Sequence, residues 1–401
     1  PGTYFDTGNT VFTVVGNVTD NAGTVNIVMP STITGGETLT IVDGAGGTTD
    51  GTYTVSDTAV IDYTVVTSDA DDTVIVTAAA KSAAATAAQL PGVTLDEAAA
   101  LGNANLAVQG DAAALTAMNT VLSGDNAGAA QTAKQVAPQA EMLGAGAEAG
   151  ASVAASGNTL VTQRTAALRG AESAAGFAAG GDMRSKGVWF RPFAAMTDQD
   201  GENGVAGYDS RTVGIGGGLD AEVSDTTVVG IMGTYSSSDV DGEGVGNANL
   251  DIKSTQVGVY GGYTGAKFTL DGLLAYGWNS NDSSRTINFG GLNRTATGDF
   301  NSNQLFASVS AGMPLSYGSA TVTPRSSISY LNVSTDTYTE TGAGGLNLTV
   351  NQDDASDIVG TIGVGISKTM NKSKGDLVLS GGADLGYDFD GDAARATSTF
   401  A

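Results

Sequence analysis

The side chains with chemistry to offer are few and mostly acidic. The 401 residues hold 42 Asp+Glu against 17 Lys+Arg, a formal charge of −25, with no histidine and no cysteine. Without histidine there is no Ser-His-Asp triad and no imidazole metal ligand. Without cysteine there is no disulfide framework, no CxxC redox pair and no thiolate site. No GxSxG element stands on a strand-to-helix turn, and glycine runs such as "GIGGGLD" lie inside a strand pattern, so they are not phosphate cradles. Acidic stretches ("TDQDGEN", "SDVDGEGVGN", "NQDDASD", "YDFDGD") offer oxygens of the kind calcium takes, but none has the twelve-position EF-hand spacing. They read as solvated loops. The sequence predicts no enzyme, no cofactor and no metal centre, and so negative a chain disfavours nucleic acid as a partner.

What remains is charge pairing. Asp220, Asp271, Asp384, Arg191 and Arg325 fall on the small, polar parity of strand-like segments. Arg164 and Arg169 lie in the later turns of "NTLVTQRTAALRG", residues 158–170, which Asn158 or Thr159 can cap and Gly170 can end. If that helix meets the polar face of the strands, its arginines are expected to find the inward carboxylates, Arg191 and Arg325 being further candidates for them. Each carboxylate also has the plainer reading of a solvated wall residue.

The elements that would position these charges are long strands. "KFTLDGLLAYGW", residues 267–278, puts Phe268, Leu270, Leu274, Tyr276 and Trp278 on one parity and Thr269, Asp271, Ala275 and Gly277 on the other. "STQVGVYGGY", "DIVGTIGVGIS" and "LVLSGGADLGY" repeat the scheme, and from Lys186 onward about nine strands of roughly 9–12 residues follow, the length a tilted strand needs to cross a hydrocarbon core. Short turns ("EVSDT", "YTGAK", "SYGSA") alternate with long connections at 198–206, 236–250, 279–300 and 332–356. Tyr235, Tyr276 with Trp278, Tyr330 and Tyr387 each end an apolar parity before a long connection, as an interfacial girdle does. The opposite parity is glycine, serine and threonine, too small and wet for a sandwich core. The apolar face is therefore expected to meet lipid: Val229, Ile231, Val257, Val259, Leu270, Leu274, Ile362, Val364, Leu379 and Leu385 outward, and Asp271, Gly363, Gly382 and Asp384 inward.

Upstream, residues 1–80 alternate Thr/Val strands with Gly/Asp/Asn turns about every ten positions, as in a β-solenoid or sandwich. Residues 81–157 are alanine-rich and predict several short helices, forming a small helical layer or a linker, and 158–185 a helix and its link to the strands of 186–401.

The run "GVWFRPFAAMTDQDGENGVAGYDSRTVGIGGGLDAEVSDTTVVGIMGTYSSSDV", continuing to "GADLGYDFDGDAARATSTFA", resembles the translocator barrel of classical monomeric autotransporters, the type V secretion proteins. The resemblance covers roughly residues 186–401, and "GGETLTIVDG" with "GTYTVSDTAVIDYTVV" is similar to the end of a passenger β-helix in that family. It implies a mainly β fold: an antiparallel outer-membrane β-barrel with a helix in its lumen, exporting its own N-terminal passenger to the surface of a Gram-negative bacterium. It implies as partners the outer-membrane lipid, the barrel assembly machinery, periplasmic chaperones and the passenger itself. Family barrels have twelve strands and end on an aromatic residue, whereas here about nine strands and the beginning of a tenth ("ARATSTF") are visible and Ala401 follows Phe400. The expectation is a chain cut at both ends. Some family members cleave the passenger at a paired Asn-Asn. Asn158 stands alone, so only a weak cleavage candidate is present. A porin would need an unplugged lumen with opposed charges, and a soluble all-β adhesin leaves the aromatic girdle without a purpose.

Overall fold

The computed structural model describes residues 12–14, 24–27, 34–44, 52–68, 73–169, 186–202, 204–318, 320–372, 375–390 and 395–401. The link expected between the helix and the first long strand, residues 170–185, lies outside the described residues.

The N-terminal strands are β1 (Phe12–Val14), β2 (Thr24–Ile27), β3 (Thr38–Gly44), β4 (Thr52–Val55), β5 (Ile61–Ser68) and β6 (Thr73–Ala80). β1 lies parallel to β3 with Phe12 opposite Val42, and β2 lies parallel to β4 with Thr24 opposite Thr52. Two successive strands thus stack in parallel on two others about one solenoid coil later in the chain. The antiparallel pairs β3–β6 and β5–β6 end the stack.

Five helices follow: α1 (Ala83–Gln89), α2 (Leu95–Ala107), α3 (Ala112–Leu122), α4 (Asn126–Val136) and α5 (Ala140–Arg169). Ser82, Thr94, Asp111 and Asp125 cap the first four. Each side chain accepts from the backbone N–H three residues on, and Thr94 with Glu97 forms a reciprocal capping box.

The chain then forms β7 (Lys186–Gln199), β8 (Tyr208–Ser224), β9 (Thr227–Gly242), β10 (Asn249–Thr264), β11 (Thr269–Phe289) and β12 (Leu292–Gly312). After a short β13 (Leu315–Tyr317) come β14 (Ala320–Thr335), the short loop strands β15 (Tyr338–Thr339) and β16 (Leu348–Gln352), then β17 (Ala355–Lys372), β18 (Gly375–Asp388) and β19 (Ala396–Phe400). Nine of these pair in chain order as one curled antiparallel sheet, β7-β8-β9-β10-β11-β12-β14-β17-β18, with β13 beside β14. Among the described residues β7 and β18 are its two edges. One end of the sheet carries tight turns and the other the long connections.

Period-two alternation survives throughout. Leu274, Ile362 and Leu385 point away from the concave side with half or more of their surface exposed, as do Ile231, Val259 and Leu379, with Val229, Val257, Leu270 and Val364 less so. The five girdle aromatics are also outward: Tyr235 and Trp278 lie across β10 from one another, both opposite Thr255, and Tyr276 packs edge-on against Trp278 at 5.1 Å. Leu274→Arg is therefore expected to cost about 2–4 kcal/mol in lipid vesicles, read as a shift in urea unfolding followed by heat-modifiable gel mobility. A cost near zero would mean that this face meets water or protein.

Three expectations change. Of residues 236–250, Ser236–Gly242 belong to β9 and Asn249–Leu250 to β10, which leaves 243–248 as the connection. Residues 279–300 are not a loop: β11 and β12 continue as a long hairpin well past the girdle and meet at Gly290–Gly291, both at positive φ (54° and 87°), as a two-residue hairpin turn requires. Beyond the girdle neither face meets lipid, so the apolar alternation that marks a strand disappears while the pairing continues. Nor is "ARATSTF" a tenth barrel strand. β19 pairs antiparallel with β16 among the long connections, because β18 delivers the chain to that same end and Phe400 packs there against a helical core.

Candidate functional site

The concave side of the sheet holds α5. Its 30 residues span about 45 Å at 1.5 Å per residue, longer than the ~30 Å hydrocarbon core. The predicted start at residue 158 is therefore corrected to Ala140. Gly144, Gly146, Gly150 and Gly157 weaken the local helix signal, at about 1 kcal/mol each relative to alanine, yet they lie within the helix where it runs along the wall. A Cβ on Gly157 would come within 2.9 Å of Met232 Cε, and one on wall residue Gly262 within 3.0 Å of Thr165 Cγ2. Ala154, Leu160 and Val161 of the helix pack with Trp189, Met232, Tyr260, Leu273 and Phe306 of the wall.

Asn158 is consequently mid-helix and is not a cap. Its Oδ1 accepts from Ser308 Oγ at 2.7 Å.

The arginines of α5 close its lower end onto the sheet near the tight turns. Arg164 donates through Nε and Nη2 to both oxygens of Asp220, at 2.7 and 2.9 Å. Asp220 also accepts from Tyr260 Oη at 2.7 Å, and Tyr260 accepts from Trp189 Nε1 at 2.8 Å. The result is a closed network of four side chains from the helix and strands β7, β8 and β10. Arg169 forms a forked pair with Asp271, with Nη1 to Oδ2 at 3.0 Å and Nη2 to Oδ1, and reaches Thr264 Oγ1 at 3.1 Å. The other candidates do not join this set. Arg325 and Asp384 pair with each other at 2.7 and 2.5 Å on the exposed side toward β18, beside Gly363 and Gly382. Arg191 donates to Gln163 Oε1 at 2.6 Å rather than to an acid.

At the other end of the lumen, the alanine-rich segment is a packed unit rather than a linker. Leu101, Met118 and Val136 of α2–α4 share one buried cluster with Ile287, Phe289 and Leu292 at the β11–β12 hairpin tip, with Leu346 of the following connection and with Phe400. Two arginines flank the hairpin turn and fasten it. Arg285, 4 % exposed, donates to both oxygens of Glu340 at 2.8 and 2.7 Å, to Gln135 O at 2.7 Å and to Leu346 O at 2.9 Å. Arg294 grips Asp111 through both oxygens and donates to Ala343 O at 2.7 Å. Asp111 is also the N-cap of α3, and the Arg294 guanidinium holds its carboxyl well below the usual carboxylate range. None of these four, nor Trp189, stood out in the sequence. The visible signal was an arginine five residues before and another three residues after a Gly-Gly turn. Among the described residues no cluster of three or more carboxylates is arranged to hold a metal ion.

A family model described as "Autotransporter beta-domain" matches residues 188–401. Outer membrane protein B of Rickettsia prowazekii is 30 % identical over 198 residues, 45 % of this chain and 12 % of that protein. Outer membrane protein A of Rickettsia conorii is 28 % identical over 201 residues, 47 % of this chain and 10 % of that protein. The chain thus spans about an eighth or less of these relatives' length. Among solved structures, the translocator domain of autotransporter NalP from Neisseria meningitidis aligns with a TM-score of 0.50 at 17 % identity, covering 64 % of this chain and 81 % of that one, which is a likeness of fold.

Proposed function

Because the chain belongs to the autotransporter β-domain family through residues 188–401, we propose that it is the outer-membrane translocator of a self-exporting protein, with β1–β6 as the end of the passenger it delivers. The observation that carries this reading is the path of α5. The helix begins beside Gly242 and Gly244 at the end with the long connections, runs down the concave side, and ends on Asp271 beside the tight turns, where β7 begins opposite Ala221. Everything before α5 is thereby left at the far end of the lumen from the point where the sheet starts. With long connections outside the cell and tight turns in the periplasm, the N-terminal strands reach the surface only by way of that lumen.

The same path disfavours a porin, since α5 occupies the space an open channel keeps clear. It also disfavours a soluble adhesin, whose helix would cover the apolar parity instead of the polar one. The exporting unit itself is not an enzyme; the activity, substrates and partners of the whole protein belong to this proposal. The barrel assembly machinery and periplasmic chaperones are the partners such a sheet needs, because an unpaired strand edge in hydrocarbon is costly. The working division of the chain is a passenger end at 1–80, a helical cap at 81–139, the threading helix and its link at 140–185, and the barrel sheet at 186–401.

Epitope insertions test the arrangement in the full-length protein on intact cells. Tags at Asp57 and at Asn247 should both bind antibody, and a tag at Gly265 should bind only after the outer membrane is opened. Labelling at Gly265 alone would invert the topology and end the translocator reading.

A further inference from the structure

The lumen wall facing the middle of α5 carries polar groups that no described residue satisfies. Gln256 and Gln304, 0 % and 1 % exposed, have no hydrogen-bond partner among the described residues at either amide atom. Thr234 Oγ1, Ser236 Oγ, Ser254 Oγ and Asn279 Oδ1 are buried in the same condition. Together they make one patch across β9–β12: Thr234 lies opposite Gln256, Ser236 opposite Ser254, Ser254 opposite Asn279, and Gln256 and Gln304 flank Gly277 from its two sides. The helix facing them presents Gly157 and Gly150, whose added Cβ atoms would come within 2.5 Å of Gln256 Oε1 and 3.0 Å of Gln304 Oε1.

Buried polar atoms are nearly always paired, and each orphan carries the desolvation penalty without the bond. A helix cannot relieve them, since its backbone groups are already bonded internally and glycine brings no side chain. An extended chain can, because every residue of it presents an unpaired N–H and C=O. A primary amide donates and accepts, so it serves either group as a chain moves past, and a hydroxyl does the same. Being neutral, the patch lets go as readily as it holds, unlike the charge-assisted grips of Asp220 and Asp271 nearer the periplasmic turns.

We propose that Gln256 and Gln304, with the neighbouring Ser, Thr and Asn side chains, form a binding track for the backbone of an extended polypeptide, this chain's own passenger segment in transit. The track loses its partners when α5 takes the lumen at the end of export. The inference rests on the translocator reading above and adds the residues that contact the moving chain.

The test is a pulse–chase of the full-length protein in cells, timing the arrival of a tag at Asp57 on the surface while heat-modifiable mobility reports barrel assembly. The double variant Gln256→Leu/Gln304→Leu should assemble as the parent does but deliver the tag about tenfold more slowly, the effect of one lost hydrogen bond at the slowest step. Gln256→Asn/Gln304→Asn, which keeps the amides, should restore most of the rate. If the leucine pair impairs assembly, the milder Thr234→Val/Ser236→Ala/Ser254→Ala variant carries the test and should still slow delivery. Delivery at the parental rate in an assembled leucine or hydroxyl-free variant overturns the track. Failure of the parent to display the tag at all would instead count against the translocator reading.

Discussion

Glu340→Ala is expected to destabilise the helical cap by about 3–5 kcal/mol, the cost of leaving one member of a buried ion pair without its partner. Arg285 is 4 % and Glu340 7 % exposed, and the glutamate also accepts from the backbone N–H of Leu348 at 2.8 Å. Removing it strands a guanidinium among Gln135, Leu346 and the tip of the hairpin. The readout is hydrogen exchange or limited proteolysis of residues 83–136 in the full chain, where protection of α2–α4 should fall while that of β8–β11 below the girdle holds. The double variant Arg285→Met/Glu340→Leu should recover much of the loss, because an apolar pair of similar volume often replaces a buried ionic one at little cost. Equal protection in Glu340→Ala and the parent would show that the apolar cluster alone holds the cap.

Asp220→Ala is the second large effect. It leaves Arg164 without its counter-charge and Tyr260 Oη without its acceptor, with Trp189 Nε1 still directed at the tyrosine. A loss of about 3–5 kcal/mol is again expected, now in the seating of α5 against the wall. Trp189 fluorescence in the full chain, in a Trp278→Phe background, reports it through an earlier urea midpoint. Arg164→Met added to Asp220→Ala should return part of the midpoint, and two variants that differ by nothing would show that the helix is held by packing of Leu160 and Val161 alone.

How much of this could be read from the sequence follows from what each signal depends on. The wall was legible because one face meets an apolar medium and the other a polar one, so each long strand from β7 to β18 carries a period of two as far as the girdle. The set of charges at the helix's end was legible for the same reason: a charge on the small parity must face inward. Which charge meets which was not, since Asp220, Asp271 and Asp384 look alike until the strand order places Asp384 on β18, opposite Gly363, which itself lies opposite Arg325, and away from Arg164. The length of α5 was hidden by four glycines that helix propensity penalises, of which Gly150 and Gly157 lie too close to the wall for a Cβ. The cap was legible as helices but not as a unit, because its partners Ile287, Phe289 and Leu292 stand almost two hundred residues away on a hairpin that lacks apolar alternation.

The cap also decides how the molecule answers to force. The N-terminal strands join α1 directly after Ala80, and α2–α4 are fastened to the hairpin tip before the chain enters α5. Tension applied to the N-terminal strands therefore runs through the cap into β11 and β12, loading the Arg285 and Arg294 attachments across the sheet. The helix in the lumen lies behind that junction, shielded from the pull until the cap itself gives way.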